Sequence, residues 1–215
     1  QDTPPEIPMP LSDRVEMEVV RFLQKNPECR PAELDQAICN RFTGLLTPPR
    51  ELVYQCLESY ADAVDAGGTT WRLSPNESPD QRRVDIENAA RLLTITGERL
   101  GLHVVGANPL LWKSEEETLY AFYLMASSVV GRFLLALQPA AAQRVIVLPG
   151  SRSKLLAFKL ARDPRLAEAA ADWRFLKFRH LRRLADRTYL TVDAWNELLD
   201  HDQPSGEDAV QMRMF

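Results

Sequence analysis

Residues 144–187 read RVIVLPGSRSKLLAFKLARDPRLAEAAADWRFLKFRHLRRLADR, and two apolar runs within them set the fold class. Residues 145–148 (VIVL) and 173–178 (WRFLKF) have the length and composition of strands. Each leads into a basic segment of helical character. Strands alternating with helices predict an α/β domain. The same stretch holds twelve Lys/Arg against four Asp/Glu, a balance of +8 in a chain whose total is −4. A cationic α/β surface on an otherwise acidic protein is a candidate site for a polyanion.

Upstream, residues 85–100 read as a helix with Ile86, Ala89, Ala90, Leu93 and Gly97 along one face. Gly101 stops it. Strands follow at 102–105, 110–112 and 119–125 (LYAFYLM), with a charged turn at 115–117. A helix over 126–137, ended by Gln138-Pro139, leads to the strand at 145–148. A helix runs from Ser151 to about 161, a strand covers 173–178, and a short basic helix covers 180–186. Thr191 caps a last helix over 192–199.

The first 80 residues are of another kind. Residues 1–10 are Pro-rich and read as an extended lead-in. Three helices are predicted, over 11–25 with Ser12 as cap, 31–42, and 48–64. A turn at Ala66-Gly67-Gly68 and a short strand at 69–73 follow, then a linker at 74–79. The predicted domains are 11–80 and 81–200, with an acidic flexible tail at 201–215.

Charge is segregated along the chain. Residues 1–80 carry a net −7, 81–143 are neutral, and the tail from Thr188 carries −5. Such segregation marks separate working surfaces. The 45% apolar and 26% charged content are those of a protein with a real core. No run approaches the ~18 apolar residues that span a bilayer. The opening QDTPPEIPMP lacks the basic and apolar regions of a secretion signal, so a cytoplasmic location and no membrane partner are expected. Cys29, Cys39 and Cys56 contain no CxxC pair, and His103, His180 and His201 have no metal-ligand spacing. Reduced thiols, no metal and no cofactor are expected. PGSRSK is not GxxxxGK[ST], which argues against a nucleotide P-loop. Trp71, Trp112, Trp173 and Trp195 read as core anchors.

Three helices, a Gly turn and a strand resemble a winged helix-turn-helix unit. That family binds DNA with its third helix in the major groove. Here the third helix, PRELVYQCLESYADAVD, carries one Arg among several acids, whereas phosphate binding needs cations. Docking of a protein partner on this acidic unit is the competing expectation.

From residue 82 to 187, the order helix, three strands, helix, strand resembles the α-β-β-β-α-β core of the PD-(D/E)xK restriction-endonuclease-like family. GERLGLHVVG looks like the end of its first helix entering its first strand, and LLW to LYAFYLM like its catalytic hairpin. The family holds Mg²⁺ on carboxylates and uses a Lys to polarise the nucleophile. In this chain the second strand begins Asn108-Pro109, with no Asp. The positions for the acid and the Lys look like Tyr123 and Met125. Glu87 matches a first-helix position that sometimes joins the metal shell and is the weak catalytic candidate; Glu115, Glu116 and Glu117 read as a solvated turn. The resemblance thus implies a nuclease-like scaffold without catalysis.

The binding surface is what the resemblance leaves. Arg152 and Lys154 follow one strand, at the start of a helix whose N–H groups favour an anion. Lys177, Arg179, Arg182 and Arg183 follow the next. If the two strands are neighbours, both groups rise at one end of the sheet. The expected function is a non-catalytic nucleic-acid-binding module, contacting double-stranded DNA through 144–187 as an accessory part of a DNA-modification, restriction or genome-defence system. A protein-assembly domain, and a metal-dependent nuclease with a displaced carboxylate site, are the alternatives.

Overall fold

Val15, Val19 and Leu23 recur along one face of α1 (Leu11–Lys25) and are withdrawn from solvent. A computed structural model describes residues 8–115, 117–136, 140–187, 189–202 and 204. The readings of 1–7, of Gln138-Pro139, of Glu116 and of the tail beyond 204 lie outside those residues. Against α1 pack α2 (Pro31–Arg41) and α3 (Arg50–Tyr60), with Leu34, Ile38, Leu52, Val53, Cys56 and Leu57 in a shared core. Ser12 does not cap α1: Pro10 holds the N-cap position, and the buried Ser12 hydroxyl finds no partner among the described residues.

The third helix stops at Tyr60 rather than running to 64. Residues beyond it form β1 (Ala61–Ala63), antiparallel to β2 (Trp71–Leu73), with Ala61 opposite Leu73. Trp71 also exchanges both backbone bonds with Cys29, at 2.8 Å each. Pairing on both sides of β2 thus competes for backbone that helix propensity alone would leave helical.

The helix expected from residue 85 starts earlier, at the end of the segment read as a linker. The Ser78 hydroxyl accepts from Gln81 N and Pro79 occupies the first turn of α4 (Pro79–Arg99), an arrangement that suits a missing N–H. Then come β3 (His103–Val105), β4 (Leu110–Ser114) and β5 (Glu117–Leu124). The helix expected over 126–137 is a single turn, α5 (Gly131–Leu134). Before it, Met125 N bonds Val147 O, Ser128 N bonds the Glu16 carboxylate and Gly131 N bonds Asp13. These donors are taken by the sheet and by α1, so the helix cannot close earlier. β6 (Gln143–Leu148), a short 3-10 turn, α6 (Ser153–Arg162) and α7 (Pro164–Ala170) follow. α7 had no counterpart in the sequence pattern; Asp163 caps it and Pro164 opens it. β7 (Trp173–Lys177), α8 (Phe178–Ala185) and α9 (Val192–His201), with Thr191 accepting from Ala194 N, complete the described chain.

The five strands β3–β7 lie in chain order in one mixed sheet, antiparallel through β5 and parallel from β5 to β7. Period-two alternation divides its side chains between two layers. Trp112, Tyr120, Phe122, Leu124, Val145 and Val147 pack on the face covered by α4, α8 and α9. Ala121, Tyr123, Met125, Ile146 and Leu148 pack on the face with residues of α5, α6 and α7. Gly97 admits the Trp112 indole: a Cβ there would lie 2.6 Å from Nε1. Among the described residues no helix is long and apolar enough to cross a membrane.

Candidate nucleic-acid interface

β6 and β7 are parallel neighbours, with Leu148 opposite Lys177. The segments that follow them therefore start at the same end of the sheet. The cations on those segments, however, do not form one surface.

Arg152 is fully buried. Its Nε donates to Ala126 O at 3.2 Å, Nη1 reaches the Ser59 carbonyl and, at 3.0 Å, the Ser59 hydroxyl, and Nη2 meets Glu77. The guanidinium lies 3.5 Å from the centre of the Tyr60 ring. A side chain spent in this way cannot touch a polyanion, which corrects the expectation for Arg152. Lys154 is part-exposed and meets Glu58 at 2.6 Å. Lys177 is buried, which removes it from the expected surface as well: its Nζ lies 2.9 Å from Asp202, whose other oxygen accepts from Lys177 N. Arg179 is half-buried, packed beside Gly150, with Nε 3.2 Å from His180 Nε2. Arg182 is exposed, 3.4 Å from Asp85.

Arg183 is exposed and forms no ion pair with the described residues. It belongs to the polar face of α8, whose opposite face buries Phe178, Leu181 and Leu184. Between α8 and α9 runs an open groove of about 330 Å³ bordered by His180, Arg183, Arg187, Glu197 and His201. Arg187 and His201 were not singled out from sequence. Arg187 stands four residues after Arg183, just past the end of α8, and that spacing was the available signal.

Among the described residues the hairpin carries no carboxylate shell. Tyr123 and Met125 are buried in the layer shared with α5–α7, and the Tyr123 hydroxyl has no hydrogen-bond partner there. Burial raises the Tyr123 phenol above its ordinary range. Asn108 acts as a clamp: its Nδ2 donates to Leu124 O at 3.1 Å and its Oδ1 accepts from Leu124 N at 3.2 Å. Glu87 projects from α4 with its side chain 68% exposed, 4.0 Å from Arg83. Glu115 and Glu117 are exposed at the hairpin turn. Among the described residues no group of three His, Cys, Asp or Glu is placed to hold a metal ion.

What sequence reading missed altogether is a buried ionic cluster between the helical unit and the α/β unit. Lys159 Nζ meets Asp13 at 2.6 Å, the Glu16 carboxylate, and Ser128 O at 2.9 Å. Glu16 also accepts from the Tyr60 hydroxyl and from Ser128 N and Oγ. Burial would raise the Glu16 carboxyl, but Lys159 and these donors outweigh it and hold it below its ordinary value. Asp13 is raised, since burial outweighs the pull of Lys159. Burial works against the Lys159 ammonium, yet Glu16 and Asp13 hold it above its ordinary value. Burial, then Glu16, pushes the Tyr60 phenol up. With Arg152, Arg82 and Glu77 alongside, three cations face three carboxylates. Buried charges persist when each is paired and hydrogen-bonded. Lys159 stands 146 residues from Asp13 and 143 from Glu16, so no local motif could announce the pairing.

This cluster sits beside α3. That helix gives Tyr60 and Ser59 to Arg152, Glu58 to Lys154 and Glu51 to Arg162 at 2.5 Å. Its acidic side thus faces α6 within the same chain. Comparison with protein-family models, with curated proteins and with solved structures gave no match.

Proposed function

We propose that the protein is a non-catalytic module that binds double-stranded nucleic acid through the outer face of α8 and its groove with α9. The observation that carries this is the character of α8: its apolar stripe is buried while Arg182 and Arg183, with Arg187 just beyond, face outward and no acid interrupts the helix. Cations on a helix face at the sheet end can track a phosphate backbone without reading bases. Two further observations support it. The order α4-β3-β4-β5-α5-β6 resembles that of a nuclease-like core, and the positions that look like its acid and Lys hold Tyr123 and Met125. The three helices and β1–β2 hairpin fit a winged-helix-like unit, but α3, the helix such a unit would offer to DNA, is engaged by α6. The contact surface therefore moves from the helical unit to α8, in a protein acting as an accessory to a DNA-modifying or defence system.

The test is a duplex titration across salt. Affinity should fall steeply between about 50 and 200 mM salt. Arg183→Ala with Arg187→Ala should weaken binding to all sequences alike and lower the salt slope by about 2. Supercoiled plasmid should stay intact with Mg²⁺ or Mn²⁺. Salt-independent binding, an unchanged slope, or metal-dependent cleavage lost in Glu87→Ala would each defeat the proposal.

A further inference from the structure

A second cavity, of about 370 Å³, opens on the far side of the buried ionic cluster. Its walls come from four parts of the chain, α3 among them through Tyr60. Met9, Met17, Val20 and Arg21 belong to α1 and its approach; Arg82 comes from α4; Val129 and Arg132 come from the segment after β5. Tyr60 and Glu16 also line it. The volume falls within the ~300–1,000 Å³ of small-molecule sites, and an apolar wall with a few convergent polar groups is their usual character.

The chemistry of the walls is two-sided. Met9 and Met17 remain 38% and 43% exposed. They supply a flexible apolar surface able to mould around a chain or ring. The charged side is cationic. Arg21 is held by Glu18 at 2.7 Å and Arg82 by Glu77 at 3.1 Å; the Arg21 side chain is half-exposed and that of Arg82 mostly buried. The Nη2 of Arg82 is buried without a hydrogen-bond partner among the described residues. Arg132 is exposed, packs 4.6 Å over the Phe133 ring, and has no carboxylate partner among them. The one carboxylate lining the cavity, Glu16, is already satisfied by Lys159, Tyr60 and Ser128. A cation added here would meet guanidiniums; an anion would meet the part of Arg82 that lines the cavity and the unpaired charge of Arg132.

We infer that this cavity binds a small amphipathic anion, its carboxylate or sulfonate at Arg82 and Arg132 and its apolar body on Met9, Met17 and Val20. Such a ligand spans the helical unit and the α/β unit, so its binding energy adds to the junction between them.

The probe is decanoate, titrated calorimetrically into the full chain, with decan-1-ol as the uncharged control. One saturable site is expected, with decan-1-ol at least about tenfold weaker, since charge-assisted bonds to guanidinium carry the difference. Arg132→Gln should weaken decanoate at least about fivefold, and Met17→Asp should abolish it. Both positions are exposed, and unchanged thermal melts of the free variants verify their folding. A rise in melting temperature with decanoate, absent in Met17→Asp, is expected too. Non-saturable uptake, equal affinity for the alcohol, or unchanged binding in both variants would overturn the inference.

Discussion

Lys159 Nζ lies 2.6 Å from Asp13 Oδ1, and both side chains are completely buried. The contact joins α6 to α1, and the same ammonium also meets Glu16 and the Ser128 carbonyl. Removing the cation strands two carboxylates in a medium that cannot solvate them. Lys159→Met should therefore cost about 3–5 kcal/mol, read from urea denaturation at neutral pH. Adding Asp13→Leu to that variant should recover part of the loss. A Lys159→Met protein as stable as the parent would mean that water reaches the cluster.

The cluster also sets how stability responds to alkali. Folding raises the Lys159 ammonium from its usual 10.5, the Tyr60 phenol from 10.0 and the Cys56 thiol from 9.0. Each group gives up its proton more easily in the unfolded chain. Their stabilisation is complete below those unfolded values, begins to be lost as pH rises past them and is gone above the raised folded values. The urea midpoint should begin to fall near pH 9 and fall further past 10. On the acid side the neighbours oppose each other: Glu16, held low, loses stabilisation as pH drops through its folded value, while Asp13, held high, gains it. Tyr60→Phe removes one alkaline group, so the fall above pH 10 should be shallower; an identical profile would remove Tyr60 from the account.

Gly97 tests the packing of the sheet against α4. A methyl there would meet Trp112 Nε1 at 2.6 Å and Val104 Cγ2 at 2.8 Å. Trp112 cannot retreat, since Trp195 and Phe122 stand 4.7 and 4.6 Å away, ring to ring. Gly97→Ala should cost about 1–3 kcal/mol despite Ala's better helix propensity. A more stable variant would show that propensity outweighs the contact.

Asn108 separates a structural from a catalytic role at the hairpin. Asn108→Asp keeps the acceptor for Leu124 N but loses the donor to Leu124 O. The expected cost is about 1–3 kcal/mol, with no gain of Mg²⁺-dependent plasmid cleavage. Cleavage by the variant would place the missing acid at this position.

How far the sequence reached depended on the range of the interaction. Dense local patterns were readable: Val145, Ile146, Val147 and Leu148 form the buried strand expected, within β6, and Thr191 caps α9. Elements governed by distant partners were not. The stretch 126–130 reads as helix, but Glu16 of α1 takes the Ser128 N–H and Asp13 the Gly131 N–H just beyond it. Tyr60 ends α3 because β2 arrives to pair with the next residues. At the candidate site, composition located a basic stretch, but not which cations reach solvent. Arg152 and Arg183 look alike in sequence; one is stacked under Tyr60 and the other stands on an open helix face.

Leu155 of α6 completes the core built by α1, α2 and α3, although more than eighty residues separate it from the end of α3. A protease cut or a cloning boundary at 74–79 would look harmless on paper. It would leave the first fragment with a hole where Leu155 and Phe158 pack and with Asp13 and Glu16 lacking their cation. It would leave the second with Lys159 and Arg152 bare. Neither piece inherits a finished interior, so any shuffling of this chain among larger proteins has to carry both halves together.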